Sequence, residues 1–147
     1  MRIVVQRCTS ASVSVEGKIV GKIGHGLTLL VGFTQGDGLD EINYMIDKVI
    51  NLRIFDDENG VMNKSLLDVE GSILSVSQFT LYADSRKGRR PSYVKALGGS
   101  EAIELYKKFN SELRKKVLVE EGIFGADMQV SLINDGPVTI LLEKEGE

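Results

Sequence analysis

Arg2-Ile3-Val4-Val5-Gln6-Arg7-Cys8-Thr9 and Ala11-Ser12-Val13-Ser14-Val15-Glu16 alternate apolar and polar residues, and Gly17-Lys18 follows as a turn. A period of two is the signature of β-strands with one buried face. Two more strands are predicted over residues 18–23 and 27–33. They flank Gly24-His25-Gly26, where the glycines permit a tight reversal. The period then changes. Ile42, Met45, Ile46, Val49 and Ile50 recur at three and four residues, which makes an apolar helical stripe, with Asp40 as the expected cap.

Leu52 to Phe55 read as extended, and Asp56-Asp57-Glu58-Asn59-Gly60 as a polar turn. Residues 72–82, Ser-Ile-Leu-Ser-Val-Ser-Gln-Phe-Thr-Leu-Tyr, form the strongest strand candidate. A basic loop over 85–91 ends at Pro91. A second helix follows Gly98-Gly99, with Ser100 as cap and Ile103, Tyr106, Phe109 (or Asn110) and Leu113 as its inner face. Two last strands are expected over 126–133 and 137–144, joined at Asn134-Asp135-Gly136-Pro137. The predicted fold is α+β: a single domain over residues 1–147, with a mainly antiparallel, curved, barrel-like sheet and two helices packed outside.

The chain has 147 residues, enough to bury about 68–70% of its unfolded surface. Hydrophobic residues are 42% and charged residues 27%, the balance of a folded domain rather than a disordered one. No apolar run approaches the ~20 residues that cross a bilayer. The first residues read as strand rather than signal peptide, so a cytoplasmic protein with no membrane partner is expected. Its one cysteine, Cys8, excludes an internal disulfide and is expected to behave as a small hydrophobe. Its one histidine, His25, must serve in any Ser-His-Asp or Cys-His catalyst, but it sits in a glycine-flanked turn with no nucleophile motif around it. There is no phosphate-binding GxxxxGK[ST] loop, HExxH or paired CxxC, and the acidic turn 56–58 lacks the oxygen spacing of a calcium loop. No metal or cofactor is expected.

Net charge is −3, unlike the basic domains that bind nucleic acid non-specifically, and no DNA partner is expected. Cations are nevertheless concentrated: Arg86, Lys87, Arg89, Arg90 and Lys95 lie between Ser85 and Gly99 with no acid among them. Such a patch on an acidic body suits one anionic macromolecule held in a defined place; a solvated surface loop is the alternative.

Two segments carry more specific information. Ser77-Gln78-Phe79-Thr80-Leu81 collects two hydroxyls, an amide and an aromatic ring at the end of an apolar strand. Strict alternation would divide these residues between two faces, so gathering them requires a bulge or the strand's end. In Asn134-Asp135-Gly136-Pro137-Val138-Thr139, Pro137 lacks the N–H of a central ladder position. An X-Pro bond admits both isomers, and the sequence leaves cis and trans open.

With these two segments in this order, the chain resembles the D-aminoacyl-tRNA deacylase (D-tyrosyl-tRNA deacylase) family, whose signatures are SQFTL and a Gly-Pro-containing NxGPVT. The likeness extends from Met1–Arg7 through Asn51–Phe55 and Lys87–Ser92 to about residue 142. It implies an enzyme that hydrolyses the ester of D-aminoacyl-tRNA, and of glycyl-tRNA, at the aminoacylated 3′ end of tRNA. It also implies a homodimer in which Gly136-Pro137 of one subunit, as a Gly-cis-Pro unit, enters the other's pocket and excludes L-aminoacyl groups. On the same resemblance Ser77, Gln78, Phe79 and Thr80 bind substrate, and Arg86, Lys87, Arg89, Arg90 and Lys95 touch tRNA phosphates. Two chemistries are implied: assistance by the tRNA 2′-hydroxyl, or attack by Thr80, whose hydroxyl is a weak nucleophile without a base. A non-catalytic tRNA- or small-ligand-binding module is the alternative function.

Overall fold

The structure, a computed structural model, describes residues 1–145. Strand β1, Arg2–Val15, runs down the middle of the sheet. Strands β2 (Lys18–Ile23) and β3 (Gly26–Gly32) both lie antiparallel along one edge of it. Ala11 faces Ile23, Cys8 faces Gly26 and Arg2 faces Gly32, so one hairpin register continues through both strands. Gly24-His25 is therefore an interruption in a single arm and not the reversal that the flanking glycines predict. The reversal of this hairpin lies earlier, at Glu16-Gly17, where both residues have positive φ. Strand β8, Met128–Glu143, covers the other edge of β1 along its length. The two expected terminal strands are one strand with an irregularity at residues 134–138, because β1 holds both halves.

Fourteen residues at about 3.3 Å each would span roughly 46 Å if flat. The sheet instead folds over along a crease. Register shifts fall between Gln6 and Ser10 on β1 against β8, beside the break at Gly24-His25 and the irregular turn of β8. Side-chain burial changes phase at the same level: Ile3, Val5 and Arg7 are buried, then Cys8, then Ala11 and Val13. The two halves of β1 consequently enter different cores. Met1, Ile3 and Val5 join the larger one, whereas Cys8, Ala11 and Val13 join a smaller one with Ile23, Leu74 and Val76.

Strand β6, Ser72–Ser77, pairs in parallel with β3, and β7, Val119–Glu121, pairs in parallel with β6. Parallel neighbours need long crossovers. Helices α1 (Leu39–Asn51) and α2 (Gly99–Arg114) lie in these connections, and both pack on the larger core. Strand β6 is buried on both faces, Ile73 toward the helices and Leu74 and Val76 toward the folded-over sheet, which accounts for its apolar run. It ends at Ser77, short of Tyr82, and Phe79–Tyr82 form a 3-10 turn. A two-stranded ribbon, β4 (Phe55–Asp56) with β5 (Met62–Lys64), carries the acidic turn.

The helix stripes fall as the periodicity predicts, except that Ala102 rather than Ile103 is fully buried. The caps differ. Helix α1 is capped by Gly38, whose N–H donates to Glu41 Oε1 at 2.9 Å, and α2 by Gly98. Asp40 and Ser100 already lie within the first turns, where Asp40 contributes charge near the positive helix end.

Gly26 sits between β1 and β6 so closely that a methyl group there would overlap the Ser72 carbonyl, whereas Gly24 faces open space. Gly26→Ala is expected to lower the urea midpoint by the equivalent of about 1–3 kcal/mol. Gly24→Ala should stay within about 0.5 kcal/mol of the parent in the same titration.

Candidate active site

The end of β6 opens into a cleft of about 270 Å³. Val76, Ser77, Gln78 and Phe79 form one wall; Phe124, Gly125, Ala126, Met128 and Val130 form the other. The first wall is possible because alternation stops here. The Gln78 N–H still donates to the Val31 carbonyl at 2.7 Å, and the chain then turns into the 3-10 segment. The cleft is the mouth of the smaller core, since Val76 belongs to that core and Met128 packs against it.

Thr80 is exposed, and its hydroxyl oxygen accepts a hydrogen bond from Gln78 Nε2. No carboxylate or imidazole hydrogen-bonds Thr80 Oγ1 among the described residues. The N–H groups of Phe79 and Thr80 begin the 3-10 turn, and neither has a protein acceptor among the described residues. Two adjacent free amides beside a cleft make a place where negative oxygen is stabilised.

His25 is exposed, with its ring edge-on to Phe55 at 5.1 Å. It lies at the Ser72 end of β6, five residues or about 17 Å from Ser77. Cys8 is buried beside Thr28, and burial pushes its thiol pKa up, so it is held as a neutral thiol. In the acidic turn, Asp57 Oδ1 accepts from the N–H groups of Asn59 (2.8 Å) and Val61 (3.1 Å), and its pKa is lowered by these bonds. That carboxylate closes its own turn.

The Gly136-Pro137 bond is cis, and both residues are exposed. Asn134 closes the turn from inside: its Oδ1 accepts from the Val138 N–H at 2.7 Å, and its Nδ2 donates to Thr139 Oγ1 at 3.1 Å. Arg7 supports it from beneath. Its Nε donates to the Asp135 carbonyl at 2.9 Å and its Nη1 to the Ile54 carbonyl at 2.7 Å, with the Asp56 carboxylate 3.4 Å away. Arg7 was not among the residues singled out from sequence. The available signal is a cation in the buried phase of a strand, after Ile3 and Val5.

Within one chain no residue of this turn lines the cleft. Ser77 pairs with Val31, which pairs with Ile3, while Gly136 sits at Arg7.

The basic segment is a hairpin loop whose base is closed by paired hydrogen bonds between Asp84 and Ser92, both 2.8 Å. Arg86 pairs with Asp84 at 2.7 Å and holds that carboxyl well below the usual carboxylate range. Lys87, Arg89, Arg90 and Lys95 have no ion-pair partner among the described residues.

The sequence profile of the family described as D-Tyr-tRNA(Tyr) deacylase matches residues 4–143. The chain belongs to this deacylase family. A D-aminoacyl-tRNA deacylase of Clostridium botulinum (strain Eklund 17B / Type B) is 58% identical over 144 residues, covering 97% of each chain. One from Clostridium kluyveri is 56% identical over 146 residues, covering 99% of this chain and 98% of the relative. A solved structure titled c-Myc DNA Unwinding Element Binding Protein superposes with a TM-score of 0.94 at 43% identity, covering 99% of this chain and 100% of that one. In this member of the deacylase family, Ser77, Gln78 and Phe79 of SQFTL line the cleft and NDGPVT forms the exposed turn held by Arg7.

Arg7→Ala removes the donor for two carbonyls, one of them buried. The expected loss is about 2–4 kcal/mol in denaturant titration. Arg7→Lys should recover only part of it, because one ammonium cannot reproduce the guanidinium fork.

Proposed function

We propose that this chain hydrolyses the ester between a D-amino acid and the 3′-terminal ribose of tRNA, releasing the free amino acid and tRNA. The observation that carries this reading is the cleft walled by Ser77, Gln78 and Phe79 in a chain that belongs to a deacylase family along nearly its whole length. The aminoacyl group enters the cleft, and the ester carbonyl faces the amides of Phe79 and Thr80. Water adds to the carbonyl carbon, the oxyanion is held by those amides, and the intermediate collapses with departure of the ribose 3′-oxygen, which takes up a proton. The 2′-hydroxyl of the same ribose assists the water. Thr80 shapes the site through Gln78, with no base to make it a nucleophile.

Selection against L-aminoacyl groups is exclusion by backbone. Gly136 and Pro137 of one copy enter the cleft of a second and occupy the space of an L-side chain. The two-copy arrangement is favoured because no residue of the turn lines the cleft of its own chain. The exposed β8 residues Ile133 and Leu141, opposite Ser10 and Val4 on the outer face of β1, supply an apolar surface for a homodimer. A backbone filter ignores side-chain identity, so many D-amino acids and glycine are accepted. The basic loop holds tRNA phosphates, and the enzyme works in the cytoplasm. No helix among the described residues is long and apolar enough to cross a membrane.

The deciding assay offers matched D- and L-tyrosyl-tRNA. The D-ester is hydrolysed and the L-ester is left intact; a protein that binds both and turns over neither is a binding module. Replacing the terminal 2′-hydroxyl by hydrogen should cost about 10²–10⁴-fold in rate. Thr80→Ala and His25→Ala should each cost less than about tenfold, and a thousandfold loss in either would restore that residue to the chemistry.

Phosphate contacts are read separately. Arg89→Ala with Arg90→Ala should weaken tRNA binding and reduce the slope of log affinity against log salt by roughly one per lost contact. Preference for D- over L-esters should be unchanged, because phosphates carry no information about the amino acid's chirality.

A further inference from the structure

Phe79 and Tyr93 are 56% and 45% exposed, an unusual state for two aromatic rings in contact at the rim of a cleft. Their centroids are 5.3 Å apart and the planes meet at 66°. Phe79 belongs to the wall of the ester-sized cleft, whereas Tyr93 stands outside it. The residues on either side of Tyr93, Ser92 and Val94, line a second cleft of about 310 Å³ together with Arg86, Lys87, Lys95 and Asp84, whose carboxylate is paired with Arg86. Tyr93 therefore divides a cleft for the acyl group from a cationic one.

Its backbone is held in place. The Tyr93 carbonyl accepts from the Ala96 N–H at 3.0 Å, Ser92 is paired to Asp84, and the Leu97 N–H donates to the Phe33 carbonyl at 3.0 Å. An aromatic ring presented on a pinned backbone loses little freedom when it binds. Exposed aromatic rings interleaved with cations are the recognition surface for single-stranded nucleic acid, whose bases stack while their phosphates are neutralised. A protein partner suits this surface less well, because the core of a protein–protein interface is depleted of charge.

We propose that Tyr93 is a stacking platform for the base of the nucleotide preceding the terminal adenosine, with the adjoining phosphate in the cleft of Lys87 and Lys95. This rests on the ester-hydrolysis reading above and adds to it: beyond the terminal nucleoside, the enzyme grips the single-stranded 3′ end through a base that every tRNA carries. Stacking is tolerant of base identity, which suits a protein that serves many tRNAs.

The test compares three D-tyrosyl esters: of adenosine alone, of the trinucleotide CCA, and of a CCA analogue lacking the middle base. For the parent protein, loss of the middle base should raise KM roughly 5- to 150-fold with kcat unchanged. Tyr93→Ala should raise KM for intact CCA by a similar factor and make it insensitive to loss of that base, while the adenosine ester is turned over as before. Tyr93→Phe should behave as the parent, and the salt slope of Tyr93→Ala should match the parent's. If Tyr93→Ala remains as sensitive to base removal as the parent, the platform is refuted. If the adenosine ester is equally impaired, Tyr93 acts on the terminal nucleoside and the assignment is wrong. A changed sedimentation coefficient with unchanged RNA kinetics would make the patch a contact between copies, which also overturns it. Should the parent hydrolyse no D-ester, the functional reading fails on its own. The same variant and abasic comparison, made by direct binding of uncharged CCA RNA, then decides the platform independently.

Discussion

The crease across β1 is the constraint on which the rest depends. Every residue of a central strand presents backbone groups that must find partners, and β1 finds them on β8 along one edge and on the β2–β3 arm along the other. A flat sheet of this length would leave one face open. Folding it over at Arg7–Ser10, Gly24-His25 and Asn134–Val138 makes two cores from one sheet. The larger is closed by the two helices and the smaller by the sheet itself. All three strands are irregular at the same level because neighbours in a ladder must bend together.

The two motifs occupy the places where this bend leaves the backbone unpaired. SQFTL lies where β6 runs out at the mouth of the smaller core, and its first turn presents amides rather than burying them. NDGPVT lies on the crease, where β8 leaves the ladder and side chains replace strand pairing. Asn134 supplies the hydrogen bonds that β1 does not, and Arg7 reaches up to the Asp135 carbonyl. A rigid sheet thus carries both irregular segments, and each is set by specific side-chain bonds.

Charge is divided in a comparable way. A second basic group lies at the end of α2 and just beyond it, where Lys108, Arg114 and Lys115 pair with Glu112 and Glu121. In the 84–97 loop only Arg86 has such a partner among the described residues, in Asp84. Three cations share two carboxylates at the end of α2, whereas the loop's five cations have one, so the two groups present different fields. The loop, beside the cleft, is the one left to attract an anion.

The sequence by itself determined most element types, the helix stripes and the family, because hydrophobic period and short motifs are local properties; the 3-10 turn at Phe79–Tyr82 it read as strand. Ile42 to Ile50 and Tyr106 to Leu113 face inward as their spacing requires, and the alternation of residues 2–16 breaks close to where the strand creases. Only the tertiary structure decided how the strands are used. Gly24-His25-Gly26 has the composition of a reversal, yet β1 holds both flanking segments in one register, so the chain continues. Residues 126–144 show a turn signal in their middle, yet β1 again makes them one strand. The parallel pairings of β6, the opposite wall of the cleft at Phe124–Val130 and the place of Arg7 beneath Gly136 all depend on contacts between residues distant in sequence, which no local pattern encodes.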